Sequence, residues 1–77
     1  MYEYMICNQY DEEIFYKQCK ALEKYIPNLE KGRFLIDVDS SFLQAYNLND
    51  KELIVYNDKH PGCVWIKSEF DIDPFFK

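Results

Sequence analysis

Glycine is scarce in this sequence, and long apolar runs are missing. Two glycines and three prolines among 77 residues provide no flexible linker and little from which to build a glycine-rich phosphate loop. No stretch approaches the roughly 18 apolar residues of a membrane-spanning helix. The amino terminus MYEYMICNQYDEE has neither the basic region nor the apolar region of a secretory signal. We therefore expect a cytoplasmic protein that does not enter a membrane.

Metal-binding and redox motifs are also missing. His60 is the only histidine, and Cys7, Cys19 and Cys63 form no CxxC pair. In a cytoplasmic protein such cysteines are expected to be reduced thiols that pack as small hydrophobic side chains. The hexapeptide NDKHPG around His60 is typical of an exposed hairpin turn, and a Cys63–His60 nucleophile pair is the alternative. We predict no metal site and no cofactor.

The sequence is rich in apolar and aromatic side chains. Hydrophobic residues make up 48% of the chain and aromatic residues 18%, which is too much apolar bulk for a disordered segment. A chain of this length buries only about 60% of its unfolded surface, so it cannot be divided into two cores. We therefore predict one compact domain that spans residues 1–77.

Acidic residues outnumber basic ones. Fourteen Asp and Glu against nine Lys and Arg give a formal charge of −5, and residues 37–77 hold eight of the acids with four bases. A compact acidic surface repels phosphate backbones, so direct binding to nucleic acid is not expected. A basic protein is the partner that such a surface favours.

The first third of the chain predicts a strand followed by a helix. Residues 2–7 alternate and carry side chains that favour strands. From about Tyr10 the apolar spacing becomes helical, and we predict that Asn8 caps this helix and that Pro27 ends it. The helix would bury one apolar stripe, which consists of Phe15, Cys19, Leu22 and Ile26.

The rest of the chain predicts strands joined by short turns. Alternation indicates strands near residues 33–38, 41–46, 52–56 and 63–67, although residues 41–46 could instead form a short helix capped by Ser40. We predict an α+β fold with the order β-α-β-β-β-β, in which one N-terminal helix packs on a small antiparallel sheet. Phe15, Phe34 and Trp65 are expected to face its core.

The segment FLIDVDSS, residues 34–41, resembles the nucleophile motif of the haloacid dehalogenase superfamily, in which an apolar strand ends in DxDx[ST]. The resemblance implies that Asp37 attacks a phosphorus centre and that Asp39 acts as general acid and base. Those enzymes use a parallel α/β sheet, whereas only 36 residues follow Ser41. We therefore predict that the protein is not an enzyme and that these acids end a strand at a hairpin turn.

The last residues, EFDIDPFFK, alternate acidic and apolar side chains. One interpretation is an edge strand whose Phe70 and Ile72 face the core and whose acids deter pairing. A second interpretation adds a function. In an extended segment Glu69, Asp71 and Asp73 lie about 6 to 7 Å apart on one face, close to the spacing of phosphates on a nucleic-acid strand. Such a row could occupy the cationic groove of a nuclease.

Several further side chains are candidates for partner contact. Tyrosine is enriched in interface hot spots, Phe side chains that follow Pro74 need not be covered, and strand-end acids could enlarge the acidic row. The predicted partner-binding residues are Glu69, Asp71, Asp73, Tyr56, Phe75, Phe76, Asp37 and Asp39.

A tiny acidic, tyrosine-rich α+β chain is similar in type to bacteriocin and contact-dependent toxin immunity proteins and to phage-encoded anti-CRISPR inhibitors, with no motif in common. This similarity implies a non-enzymatic protein that inhibits a basic, nucleic-acid-processing protein by occupying its active or substrate-binding surface. The alternative is a small structural subunit that buries its aromatic face against another copy as a homodimer.

Overall fold

A computed structural model describes residues 1–76 as one helix packed on one sheet. The elements are β1 (Tyr2–Cys7), α1 (Glu12–Tyr25), β2 (Glu30–Ile36), β3 (Phe42–Leu48), β4 (Lys51–Asp58), β5 (Cys63–Ser68) and a final 3₁₀ turn, Asp73–Phe76. The predicted order β-α-β-β-β-β is confirmed, and so is the strand interpretation of residues 41–46. Within the described residues, no helix is both long enough and apolar enough to cross a membrane.

All five strands pair antiparallel in the order β1-β5-β4-β3-β2. Strands β2 to β5 form a meander, because each is joined to the next by a short turn. The connection between β3 and β4 is a two-residue turn in which Asn49 and Asp50 both have positive φ, as a type I′ hairpin requires. In this order β1 and β2 are the two edge strands, and helix α1 carries the chain from one to the other.

Helix α1 begins one turn later than the sequence predicted. Asp11, and not Asn8, is the N-cap: its backbone is extended and its carboxylate accepts a hydrogen bond of 3.0 Å from the N–H of Ile14. Glu12 and Glu13 then occupy the first turn, where the helix dipole favours acids. The helix ends at Tyr25, because Ile26 precedes Pro27 and has an extended backbone.

The core lies between α1 and one face of the sheet. The predicted apolar stripe of the helix is buried, and Phe15 and Leu22 are almost completely inaccessible. Alternate residues of the central strands, such as Leu53 and Val55, face this stripe and are equally buried. The buried cluster is Phe15, Cys19, Leu22, Ile26, Phe42, Tyr46, Leu53, Val55, Val64, Ile66 and Ile72.

A β-bulge interrupts the pairing of β2 with β3. The register shifts between Lys31 and Phe34, and the buried side chain of Gln44 fills the gap. Its amide nitrogen lies 3.0 Å from the carbonyl oxygen of Gly32, 3.2 Å from that of Arg33 and 2.9 Å from that of Ala45. These contacts satisfy carbonyl groups that the bulge removes from the ladder.

The carboxyl-terminal residues close one end of the core and do not form an edge strand, so that prediction is wrong. After β5 ends at Ser68, the chain bends, and Ser68 Oγ hydrogen-bonds both to the N–H and to the carbonyl of Phe70. Ile72 is buried, as predicted, and the Tyr4 hydroxyl accepts a hydrogen bond of 3.1 Å from its N–H. We call residues 69–76 the closing segment.

Two of the three aromatic residues expected in the core are elsewhere. Phe15 is buried, but Phe34 is 43% exposed on edge strand β2, and Trp65 is half-buried on the sheet face opposite the helix. Phe34 is uncovered because α1 lies over the centre of the sheet and contacts mainly β4. Val55 is buried under the helix, so the next residue, Tyr56, points to the opposite face of the sheet. Trp65 lies on that same face because it is the cross-strand partner of Tyr56.

Tyr46 makes the free energy of unfolding depend on pH under alkaline conditions. Its ring is buried, and its hydroxyl donates a hydrogen bond of 2.6 Å to Glu23 Oε2. Burial first, and the bond to Glu23 second, raise the pKa of Tyr46 far above its ordinary value. Its contribution to stability is therefore fully present below pH 10, the unfolded pKa, and is lost as pH rises beyond that value.

We expect the free energy of unfolding to fall above pH 10 by up to about 1.4 kcal/mol per pH unit on account of this tyrosine. Tyr46→Phe should be less stable near neutral pH and should show a shallower alkaline loss. Urea unfolding between pH 8 and 11.5 measures both slopes, with Tyr2→Phe, an exposed ring, as the control. Parallel profiles for the parent and Tyr46→Phe would contradict this role.

Candidate binding surface on the uncovered face of the sheet

Among the described residues, no second α-helix packs on the face of the sheet that points away from α1. Along β4, Leu53, Val55 and Asn57 are buried under the helix, so Ile54 and Tyr56 must lie on the opposite side. We call this side the open face. The solvated face of an antiparallel sheet is ordinarily polar, whereas this one carries large apolar side chains.

These side chains form one row across the sheet. The strand registers place five residues directly opposite one another, so that the row crosses every strand from one edge to the other. It runs through Leu35, Leu43, Tyr56, Trp65 and Met5. We call these residues the cross-strand row. Its two ends are exposed, with Leu35 47% and Met5 63% accessible, while the three central side chains are half-buried.

Tyr56 and Trp65 form the rigid centre of this row. Their rings stack with centroids 4.5 Å apart and planes 12° apart. The indole N–H of Trp65 donates a hydrogen bond of 2.7 Å to Asp58 Oδ2, which fixes the orientation of the indole. Burial raises the pKa of the Tyr56 hydroxyl, and the negative charges of Glu52 and Asp58 raise it further. The centre of the open face is therefore aromatic and lies in a negative field.

Two shallow hollows flank Tyr56, and acids line both. One, of about 330 Å³, lies at the end of the β2–β3 hairpin and is bordered by Asp37 and Asp58. The other, of about 240 Å³, lies at the opposite end of β4 and is bordered by Glu52 and Glu69. Lys67 also lines the second hollow, so the open face has an apolar middle and a mainly acidic border.

Three of the predicted partner-binding residues come together on this surface. Tyr56 lies at its centre, and Asp37 and Glu69 each border one hollow. Glu69 is held in place because its Oε2 accepts a hydrogen bond of 2.5 Å from the N–H of Glu52, while its own N–H donates to the Glu52 carbonyl at 2.9 Å.

The other two acids of the closing segment, Asp71 and Asp73, lie elsewhere. Asp71 Oδ1 accepts hydrogen bonds from the Tyr4 hydroxyl at 2.9 Å and from the Asp73 N–H at 3.0 Å. These bonds fold the segment on itself, so Glu69, Asp71 and Asp73 do not form the extended row of acids that the sequence suggested. That part of the prediction is wrong, since the row depends on an edge strand that does not form.

The two phenylalanines of the closing segment contribute to packing to different extents. Phe75 is half-buried, packs against the core and meets Phe70 edge-to-face with ring centroids 6.3 Å apart. Phe76 is 41% exposed and lies 5.4 Å, between centroids, from the ring of Tyr25. Neither side chain is on the open face.

Asp37 and Asp39 shape the β2–β3 turn. The Asp37 carboxylate accepts a 2.7 Å hydrogen bond from the N–H of Val38, and Asp39 Oδ1 accepts one of 2.9 Å from Ser41. The bonds to Ser41 lower the pKa of Asp39. The hairpin-turn interpretation of FLIDVDSS agrees with this geometry, and the antiparallel sheet is unlike the parallel α/β fold that the dehalogenase resemblance implies.

The cysteines are free, and two of them are buried. Burial raises the pKa of Cys63, and the charge of Asp58 raises it further. A thiol nucleophile requires the opposite shift. Cys19 is likewise buried, and desolvation raises its pKa.

Sequence reasoning missed most of the cross-strand row, although β4 contained a signal. Strand β4 alternates Leu53 and Val55 with Ile54 and Tyr56, so both of its sides are apolar. This pattern is typical of a strand that is buried on both faces. The sequence does not indicate which face a single helix leaves uncovered. For the same reason the sequence predicts Trp65 to face the core, whereas it lies on the open face.

Comparisons with protein-family models, with curated proteins and with solved structures found no significant match to this chain.

Proposed function

We propose that this protein is a non-enzymatic inhibitor that binds a basic, nucleic-acid-processing protein through its open face. The observation that carries the proposal is the cross-strand row, because it places a stacked Tyr–Trp pair at the centre of an uncovered sheet. Tyrosine and tryptophan are, together with arginine, enriched in interface hot spots, which cluster near the middle of a contact surface.

The charge around this row favours a basic partner. Asp37, Glu52, Asp58 and Glu69 line the two hollows beside Tyr56, and the whole chain carries a formal charge of −5. Long-range attraction to a cationic surface would speed association. Nucleases and other enzymes that process nucleic acids carry such surfaces, since they must bind phosphates.

Inhibition would follow from occupancy of the cationic groove. The acids of the border would take the place of phosphates, and the row of apolar side chains would supply most of the affinity as it loses contact with water. The Asp58–Trp65 hydrogen bond keeps the indole orientation fixed before binding, so little side-chain entropy is lost there.

Affinity capture tests the proposal. Tagged protein, incubated with a lysate of its source, should retain a basic nuclease or nucleic-acid-binding enzyme that mass spectrometry identifies. Retention should weaken as salt in the wash rises, because salt screens the acidic border. The purified partner should lose nucleic-acid-processing activity when the protein is added in equimolar amounts.

Two variants test whether the open face is the contact surface. Captures with Tyr56→Ala, on the open face, should be depleted of the partner. Captures with the control variant Phe76→Ala, outside the open face, should retain it. If both variants retain the partner equally, the open face is not the contact surface. If the partner remains active when saturated with the protein, the inhibitory function is wrong.

A further inference from the structure

Edge strand β2 is unpaired along one side and apolar on both faces. Phe34 and Ile36 lie on the helix side, and Leu35 lies on the open face; all three side chains are more than 40% exposed. Edge strands of monomeric proteins are usually protected by charges, by proline or by short length. In β2 the basic residues Lys31 and Arg33 and the β-bulge all precede Phe34, so the Phe34–Ile36 stretch itself carries no charge and no proline.

The backbone of this edge offers a free set of hydrogen-bonding groups. The N–H of Asp37 donates to the carbonyl of Ser41 at 2.7 Å. Since hydrogen-bonded and non-hydrogen-bonded pairs alternate in an antiparallel ladder, Leu35 is the next residue that bonds to β3. The N–H and carbonyl groups of Phe34 and Ile36 therefore point away from β3.

We propose that a second copy of this chain binds here, with the two β2 strands antiparallel about a two-fold axis at Leu35. This register places Phe34 opposite Ile36 of the second copy, and the reverse pair occurs by symmetry. Both pairs have outward-facing backbone groups, so each can exchange two hydrogen bonds. The two five-stranded sheets would join into one continuous sheet of ten strands.

Charge supports a second copy as the occupant. In a chain that is acidic throughout its second half, β2 carries both Lys31 and Arg33. The register centred on Leu35 places Arg33, next to Phe34, opposite Asp37 of the second copy, and the same pair occurs twice by symmetry. The edge therefore carries opposite charges that meet in the register centred on Leu35.

The cross-strand row supports the same register. Leu35 is the end of the row at the β2 edge, so pairing Leu35 with Leu35 of the second copy joins the two rows end to end. The two-fold axis is perpendicular to the sheet, which places both open faces on one side. The dimer would thus present twice the surface that we assign to the basic partner, and two linked contacts bind more tightly than one.

The oligomeric state tests this proposal without reference to any partner. Sedimentation equilibrium across the micromolar range should give twice the mass of the 9.4 kDa chain. Ile36→Pro should yield a folded monomer, because the lost N–H faces outward and edge strands tolerate proline there. Tyr56→Ala should remain dimeric. A monomeric parent, or a dimer that Ile36→Pro leaves intact, would overturn the proposal.

A charge exchange tests the register. Arg33→Glu and Asp37→Arg should each raise the dimer dissociation constant about tenfold or more, and the double variant should restore dimerisation. Leu35→Cys should form an intermolecular disulfide on mild oxidation, since residues opposite each other in a non-hydrogen-bonded pair have Cα atoms about 4.5 Å apart. Val38→Cys is the control, because Val38 is more exposed than Leu35 but is not opposite itself. No rescue and no preferential cross-link would overturn this register.

Discussion

Ile72→Ala will lower the free energy of unfolding by about 2 to 5 kcal/mol. Ile72 is only 5% exposed and belongs to the same buried cluster as the helix stripe. Truncation leaves a cavity at the end of the core, and the surrounding chain cannot collapse freely because the Tyr4 hydroxyl fixes the Ile72 backbone. For a domain of this size the loss corresponds to a fall in melting temperature of about 10 °C or more.

Phe76→Ala is the matched control. Phe76 lies in the same closing segment and is larger than Ile72, but its ring is exposed and contacts mainly Tyr25. We expect it to cost less than about 1 kcal/mol. Thermal and urea unfolding of the two variants measure the difference. Equal losses would show that the closing segment does not seal the core as described.

Tyr56→Ala will weaken binding to the captured basic partner by about 30-fold or more, which corresponds to about 2 kcal/mol. The substitution removes half of the stacked pair and leaves Trp65 without the ring that supports it. Isothermal titration measures the affinity, and circular dichroism establishes that the variant remains folded. An unchanged dissociation constant would be evidence against an open-face interface.

Two charge reversals separate the border of the open face from the acids outside it. Glu69→Lys lies at the border of the open face and should reduce the association rate, with a smaller effect at high salt. Asp73→Lys changes charge by the same amount, but it lies outside the open face and should have little effect. If the two reversals weaken binding equally, the partner contacts Asp73 as well as the border of the open face.

Helix α1 shows how well local chemistry predicts an element. The spacing of Phe15, Cys19 and Leu22 identified its buried side, and the restriction that Pro27 imposes on the preceding residue identified its end. The predicted start of the helix is too early, because Asn8 and Asp11 are both residue types that favour the N-cap position. Asp11 is the N-cap in the folded chain, and Asn57, on β4, accepts a hydrogen bond from its N–H at 3.1 Å.

The closing segment shows where local pattern fails. Residues 69–73 alternate as a strand would, but they form no ladder with β1 or β2, the two strands that have a free edge. Strand β5, which precedes the segment, lies between β1 and β4, so the chain leaves the sheet after Ser68. The alternation shows which side chains are apolar, but it does not show whether a strand edge is free to pair with the segment.

The sequence by itself determined the single domain, the order of elements, the buried side of the helix and the acidic character, because each depends on composition or on periodicity within one segment. Only the tertiary structure decided which face of the sheet is uncovered and which strands are edges. Those features depend on strand order and on the fact that one helix can cover only one face. The cross-strand row and the exposed edge of β2 arise from residues far apart in the chain, and no local pattern reports their alignment.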